Sequence, residues 1–169
     1  MNKKVQSLSL TIAIILLICV SLFGNGQTDK PPDLSEPVQV IRIIDGDTIE
    51  VSGDITVRMI GIDTPESVHP DESRNTKYGK IASEYTEMLL KGKSVQLEYD
   101  TQAADSYGRT LAYVYADGQM INEILLRNGI ARAMVIPPNT KYADHFCELE
   151  QEARENNIGF WADYFSTTE

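Results

Sequence analysis

Cysteine is nearly absent from the chain: Cys19 and Cys147 are the only two in 169 residues. Cys19 falls in an apolar N-terminal run, so once that run is set aside a single thiol remains and no intramolecular disulfide can form. Stability must come from packing and, where a site exists for it, from bound metal. Histidine is as scarce, with His69 and His145 alone, and both are read as surface residues. Positive charge is also short, with 15 Lys and Arg against 25 Asp and Glu and a net of −10. Without Lys3 and Lys4 the balance is 13 against 25, a net of −12. Such a balance argues against a protein that coats or stores nucleic acid, because non-specific binding works by neutralising backbone phosphates. It leaves room for a local positive pocket. Internal repeats are absent, and the single long apolar run is Leu8 to Phe23.

That run follows Lys3 and Lys4 and is followed by Gly24-Asn25-Gly26. A basic start, an apolar centre and a small-residue exit read as a secretory signal peptide over residues 1–26. The run is long enough that an uncleaved membrane anchor is the alternative. The remainder is then secreted, or anchored and facing outside. Residues 27–37 are polar, contain Pro31, Pro32 and Pro37, and read as a linker. Residues 38–165 suffice for one domain with its own core.

Within that domain, Val38-Gln39-Val40-Ile41-Arg42-Ile43-Ile44 is rich in β-formers, and Asp45-Gly46 and Ser52-Gly53-Asp54 are turn signals. With Thr48 to Val51 and Ile55 to Ile60 they predict a three-stranded meander. From Tyr78 the period becomes helical, with Tyr78, Ile81, Ala82, Tyr85, Met88 and Leu89 expected on one buried face and Gly92 as the stop. Strands follow at Ser94 to Tyr99 and Thr110 to Ala116, then a short helix from Ile121 to Arg127. A last helix carries Tyr142, Phe146, Leu149 and Ala153 on its apolar face. Cys147, in the same pattern, is expected to be buried or half-buried.

Five charged residues stand at strand ends and in the loops after them. Asp47 lies in Ile44-Asp45-Gly46-Asp47-Thr48, and Arg58 near the end of the third strand. Asp63 and Glu66 lie in Ile62-Asp63-Thr64-Pro65-Glu66, and Arg109 in Asp105-Ser106-Tyr107-Gly108-Arg109. Three carboxylates and two guanidinium groups gathered at one place suit metal-assisted attack on a phosphodiester: carboxylates hold a hard cation, and arginine forks match phosphate oxygens. Each residue alone has a plainer explanation. Asp47 can cap a turn, Asp63 can pair with an arginine, Glu66 can be a solvated loop acid, and the arginines can be surface charges.

As an ordered set these segments, with Leu111-Ala112-Tyr113-Val114-Tyr115-Ala116-Asp117-Gly118, resemble the staphylococcal nuclease (thermonuclease) family of calcium-dependent phosphodiesterases. The resemblance runs from about Val38 to Trp161. It implies an α+β fold, a five-stranded OB-type β-barrel with three helices. It implies Ca2+ held by Asp47, Asp63 and the Thr64 carbonyl, with Glu66 beside the attacking water. Arg58 and Arg109 would clamp the phosphate, and Tyr107 would lie along a nucleotide. The implied activity is that of a monomeric endonuclease on single-stranded or unstructured DNA and RNA, leaving 3′-phosphate ends.

The chain departs from the family in three places. The loop from Ser67 to Thr76 holds Asp71 and Glu72 with only Arg74, where the family is lysine-rich. Ser106 replaces a lysine beside the Tyr-Gly-Arg turn. Ala133-Met134-Val135-Ile136-Pro137-Pro138-Asn139 is short and lacks the family's aromatic pair. The chemistry looks intact and the substrate grip weakened. The alternative reading is a cell-surface OB module that binds nucleic acid or protein without cutting; a third is a calcium-stabilised structural domain.

Overall fold

The computed structural model describes residues 34–68 and 75–167. The expected leader, most of the expected linker, and His69, Asp71, Glu72 and Arg74 lie outside them. The β-rich opening forms β1 (Val38–Asp45), β2 (Thr48–Val51) and β3 (Ile55–Met59). β1–β2 and β2–β3 pair antiparallel, as the two turn signals require. The β2–β3 turn has φ of 87° at Gly53 and 57° at Asp54, the left-handed backbone that tight hairpins need. After the two-residue β4 (Ile62–Asp63) comes helix α1 (Lys77–Leu90), then β5 (Ser94–Glu98), β6 (Thr110–Ala116) and β7 (Gln119–Met120).

The sheet order is β3-β2-β1-β5-β6-β7, and a further parallel pairing of β3 with β6 closes the first five into a barrel. At that seam Val57, Arg58 and Met59 face Thr110, Leu111 and Ala112. This is the OB-type closure implied by the resemblance. Helix α2 (Ile121–Arg127), strand β8 (Arg132–Ala133), helix α3 (Ala143–Glu155), a 3-10 turn (Gly159–Ala162) and a four-residue helix α4 (Tyr164–Thr167) complete the described chain. The three expected helices are α1, α2 and α3. Regular pairing begins at Leu34, within the stretch read as linker: it bridges Glu98, and Ser35 donates its backbone N–H to Leu97.

Barrel residues such as Ile49, Val51, Val57, Val95, Ala112 and Val114 are wholly shielded from solvent, as are Leu125 and Leu126 beneath the helices. Each valine, leucine or isoleucine among them contributes about 1.5–3 kcal/mol on burial. Asn122, also fully buried, donates to the Ile60 carbonyl at 2.8 Å and accepts from the Val114 N–H at 3.0 Å, tying α2 to the end of β3.

Two expectations about helix faces are corrected. Helix α1 docks on Gly79, Ala82, Thr86 and Leu90, while Ile81 is 44% and Met88 68% exposed. The reason is steric: a Cβ on Gly79 would run into the backbone of Glu66, so only a small residue lets the helix come this close. Thr86 then donates to the Gly46 carbonyl at 2.6 Å. Cys147 is exposed, because α3 turns Phe146, Leu149 and Ala153 inward and leaves position 147 outside that stripe.

Candidate active site

A cleft of about 1110 Å³ opens where the β1–β2 turn, the end of β3, the β4 loop and the β5–β6 loop meet. Its walls include Asp47, Arg58, Asp63, Thr64, Glu66, Tyr107 and Arg109, so every site residue singled out in the sequence lines one cavity.

Asp47 follows Gly46 in the β1–β2 turn and is 6% exposed. A Cβ on Gly46 would lie 2.6 Å from Thr64 Oγ1 and 2.8 Å from Ala82 Cβ, so glycine lets turn, loop and helix converge here. One oxygen of Asp47, Oδ2, accepts from the Thr64 N–H at 2.9 Å and its hydroxyl at 3.1 Å; the other, Oδ1, accepts from the Thr48 hydroxyl at 3.0 Å. Burial pushes the Asp47 pKa up, only partly offset by the Arg58 charge and the Thr64 N–H.

Arg58 is held from four sides. Nη1 donates to the carbonyls of Met59 at 2.9 Å and Ile62 at 2.8 Å. Nη2 lies 3.2 Å from Asp47 Oδ2 and 3.3 Å from Asp63 Oδ1. The plainer explanations of the two aspartates thus also hold: Asp47 secures the Thr64 loop, and Asp63 pairs with an arginine. The arrangement adds something neither explanation requires, which is two carboxylate oxygens converging on a single cationic nitrogen at the cleft.

Glu66 is half-buried on the cleft wall behind the buried Pro65. Its backbone is clamped, since its carbonyl accepts the Thr76 N–H at 2.9 Å and Gly79 packs against it. On the opposite loop, Asp105 accepts from the N–H groups of Tyr107 at 2.9 Å and Arg109 at 3.0 Å, and from Arg109 Nε at 2.7 Å. Gly108, at φ 80°, completes the turn. Burial opposes ionisation of Asp105, but the hydrogen bonds from Arg109 and Tyr107 outweigh it and hold its pKa below the ordinary value. Tyr107 is 85% exposed, with the Arg109 guanidinium 5.6 Å from its ring centroid.

Three contributors were not singled out as site residues. Asp45, 7% exposed, accepts from the hydroxyls of Ser67 at 2.8 Å and Ser83 at 3.1 Å, locking strand, loop and helix together. Its place in Asp45-Gly46-Asp47 was the available signal. Arg132 faces Asp63 across the β4–β8 pairing, and Phe165 lines the cleft from α4. Neither belongs to any local motif.

An OB-type barrel bearing an oxygen-donor, arginine-flanked cleft defines a protein equipped to act on phosphate esters. Residues 56–163 match the family described as staphylococcal nuclease homologue. That span contains Arg58, Asp63, Thr64, Glu66, Tyr107 and Arg109, and starts after Asp47. Among similar proteins, the thermonuclease of Staphylococcus hyicus is 38% identical, the alignment covering 96% of this chain and 99% of that one. The thermonuclease of Staphylococcus intermedius is 42% identical, over 94% and 98%. Endonuclease YncB of Bacillus subtilis is 45% identical over 74% of this chain and 61% of its own length. The chain belongs to the staphylococcal nuclease homologue family.

Proposed function

We propose that the chain is an exported, calcium-dependent endonuclease that cuts DNA and RNA. Family membership makes it a nuclease that hydrolyses nucleic acid. The finer reading is carried by one observation: Asp47 Oδ2 and Asp63 Oδ1 lie 3.2 and 3.3 Å from the same guanidinium nitrogen in the wall of the cleft.

The donor set suits a hard cation. Among the described residues, no group of three or more His, Cys, Asp or Glu is placed to hold a metal ion. The family resemblance assigns the ligands as Asp47, Asp63 and the Thr64 carbonyl, a set that would leave several of calcium's six to eight positions for water and substrate. Burial disfavours the charged form of Asp47, so a neighbouring cation favours that form and is favoured by it. Calcium bound there would neutralise phosphate charge and acidify water.

The protein's own groups do the rest. The Glu66 carboxylate orients the attacking water and accepts its proton. Water attacks phosphorus in line with the bond to the leaving oxygen, and Arg58 and Arg109 stabilise the charge that builds on the phosphate oxygens and on that leaving oxygen. The bond from phosphorus to the 5′-oxygen breaks, that oxygen takes a proton from solvent, and 3′-phosphate ends remain. The acidic loop and the missing aromatics predict a higher Michaelis constant and a shallower salt dependence than in a basic relative. The family resemblance implies single-stranded or unstructured substrate, handled by a monomer. Lys3, Lys4 and the apolar run to Phe23 support export, with membrane anchoring as the variant.

The test is degradation of single-stranded DNA with calcium or with chelator, beside Glu66→Gln. Calcium-dependent cutting that Glu66→Gln abolishes is expected. A folded, calcium-bound sample that cuts nothing across salt and pH would replace this reading with the binding module.

A further inference from the structure

The register of β4 with β8 sets Arg132 opposite Asp63. Its Nη2 lies 3.6 Å from Asp63 Oδ2, while Asp63 Oδ1 is 3.3 Å from Arg58. One carboxylate is therefore divided between two guanidinium groups. The far side of Arg132 is seated on Phe165, a residue 1% exposed whose ring centroid is 5.2 Å from the Arg132 Cζ. The Arg132 side chain is 40% exposed and lines the cleft.

The three arginines at the cleft are held unequally. Arg58 is fixed by two carbonyls and two carboxylates. Arg109 is fixed by a 2.7 Å bond to Asp105. Arg132 has a 3.6 Å contact, too long for a hydrogen bond. It is the cation that gives up least by moving. Charge supplies the occasion. Asp63 is shared by Arg58 and Arg132, so a divalent cation on that carboxylate competes with Arg132 for it and repels the guanidinium, which then seeks another anion.

We propose that Arg132 is a further substrate-binding group, which trades Asp63 for a phosphate of the nucleic acid strand when a divalent cation engages that carboxylate, with Phe165 as the seat holding it at the cleft. This rests on the metal reading of Asp47 and Asp63. It gives Arg132 effects of opposite sign: it repels the cation alone, and it grips the phosphate once the cation is bound.

The test uses the chain carrying Glu66→Gln, so that substrate survives, and two direct titrations. Calcium chloride is titrated calorimetrically, and a fluorescent decathymidylate is titrated with calcium present. Arg132→Met should tighten calcium alone by roughly threefold. It should weaken the oligonucleotide by about tenfold and lower the slope of log affinity against log salt by about 0.7. Arg132→Lys should leave calcium affinity near the parent's and restore part of the oligonucleotide affinity. If the methionine variant does not fold, Arg132→Gln gives the same readings. Equal weakening of calcium and oligonucleotide would mark Arg132 as a structural brace and overturn the proposal, as would unchanged oligonucleotide affinity. Asp47→Asn in the same background separates the two levels. If it leaves calcium affinity unchanged, the metal reading itself falls and this proposal with it; if it abolishes calcium binding, the Arg132 titrations decide alone.

Discussion

Replacing Arg58 by lysine keeps the charge and removes the fork, and the structure sets what that costs. The guanidinium reaches the carbonyls of Met59 and Ile62 through one nitrogen, and Asp47 and Asp63 through the other. A single ammonium at the end of a flexible stem cannot span both pairs. If it stays with the carboxylates, it abandons two carbonyl bonds made by a charged donor, each worth about 1.5 kcal/mol at the low end of such bonds. The expected loss of stability is about 3 kcal/mol. For a domain of this size that is roughly 3–5 °C per kcal/mol, so the melting temperature should fall by about 10 °C. Activity should fall further than stability explains. A donor aimed at charge that develops in the transition state is worth about 10²- to 10³-fold in rate, and lysine should recover only a minor part of it. The assays are urea or thermal unfolding, and single-stranded DNA hydrolysis well below the new melting temperature. A lysine variant within a few-fold of the parent's rate would refute the clamp. One that melts unchanged would refute the four-point anchoring.

Three further outcomes follow from the same geometry. The folded-state pKa of Asp47 is raised by burial above its unfolded value, so the ionised side chain costs stability at neutral pH, and the cost vanishes as pH falls below the unfolded value. Asp47→Asn should therefore be less destabilising relative to the parent at pH 7 than in acid when metal is absent, and should abolish cutting; a difference in melting temperature that does not change with pH would contradict this. Gly79→Ala puts a Cβ into the Glu66 carbonyl. It should cost about 1–3 kcal/mol despite alanine's better helix propensity, together with a several-fold drop in turnover; a more stable and fully active alanine variant would show the contact to be slack. Tyr107, 85% exposed, should be replaceable by alanine with no change in melting but with about a tenfold rise in the Michaelis constant from lost stacking, which substrate-saturation curves would check.

The parts of the fold that sequence made legible were those with local periodicity or turn chemistry. The meander, the helix after it, the two further strands and helix α2 all carry such patterns. Barrel closure carries none, because the β3–β6 seam joins residues about fifty positions apart and came only through the family resemblance. Face assignment in α1 failed at Ile81 and Met88 because periodicity rewards large apolar residues, whereas the docking surface there demanded small ones, Gly79 and Ala82. Cys147 was placed inside by the same averaging, since a position adjacent to Phe146 need not share its face. In the site, all the residues carried by the motifs meet in one cleft. Arg132 escaped because it reaches that cleft through a two-residue strand pairing, and Phe165 because it comes from the far end of the chain.

The parallel seam has a consequence for when the enzyme comes into being. Arg58 lies on β3, and Arg109 immediately precedes β6, so their approach depends on the β3–β6 pairing, the most sequence-distant in the barrel after that of β1 with β5. Non-local parallel pairing is slow to form. A newly made chain with its seam open carries the two arginines on separate pieces and has no assembled cleft. Closure of the barrel thus acts as a built-in safety catch, because a chain with this seam open lacks the paired arginines needed to cut. Refolding followed by both Trp161 fluorescence and activity should show cutting never preceding recovery of the native fluorescence.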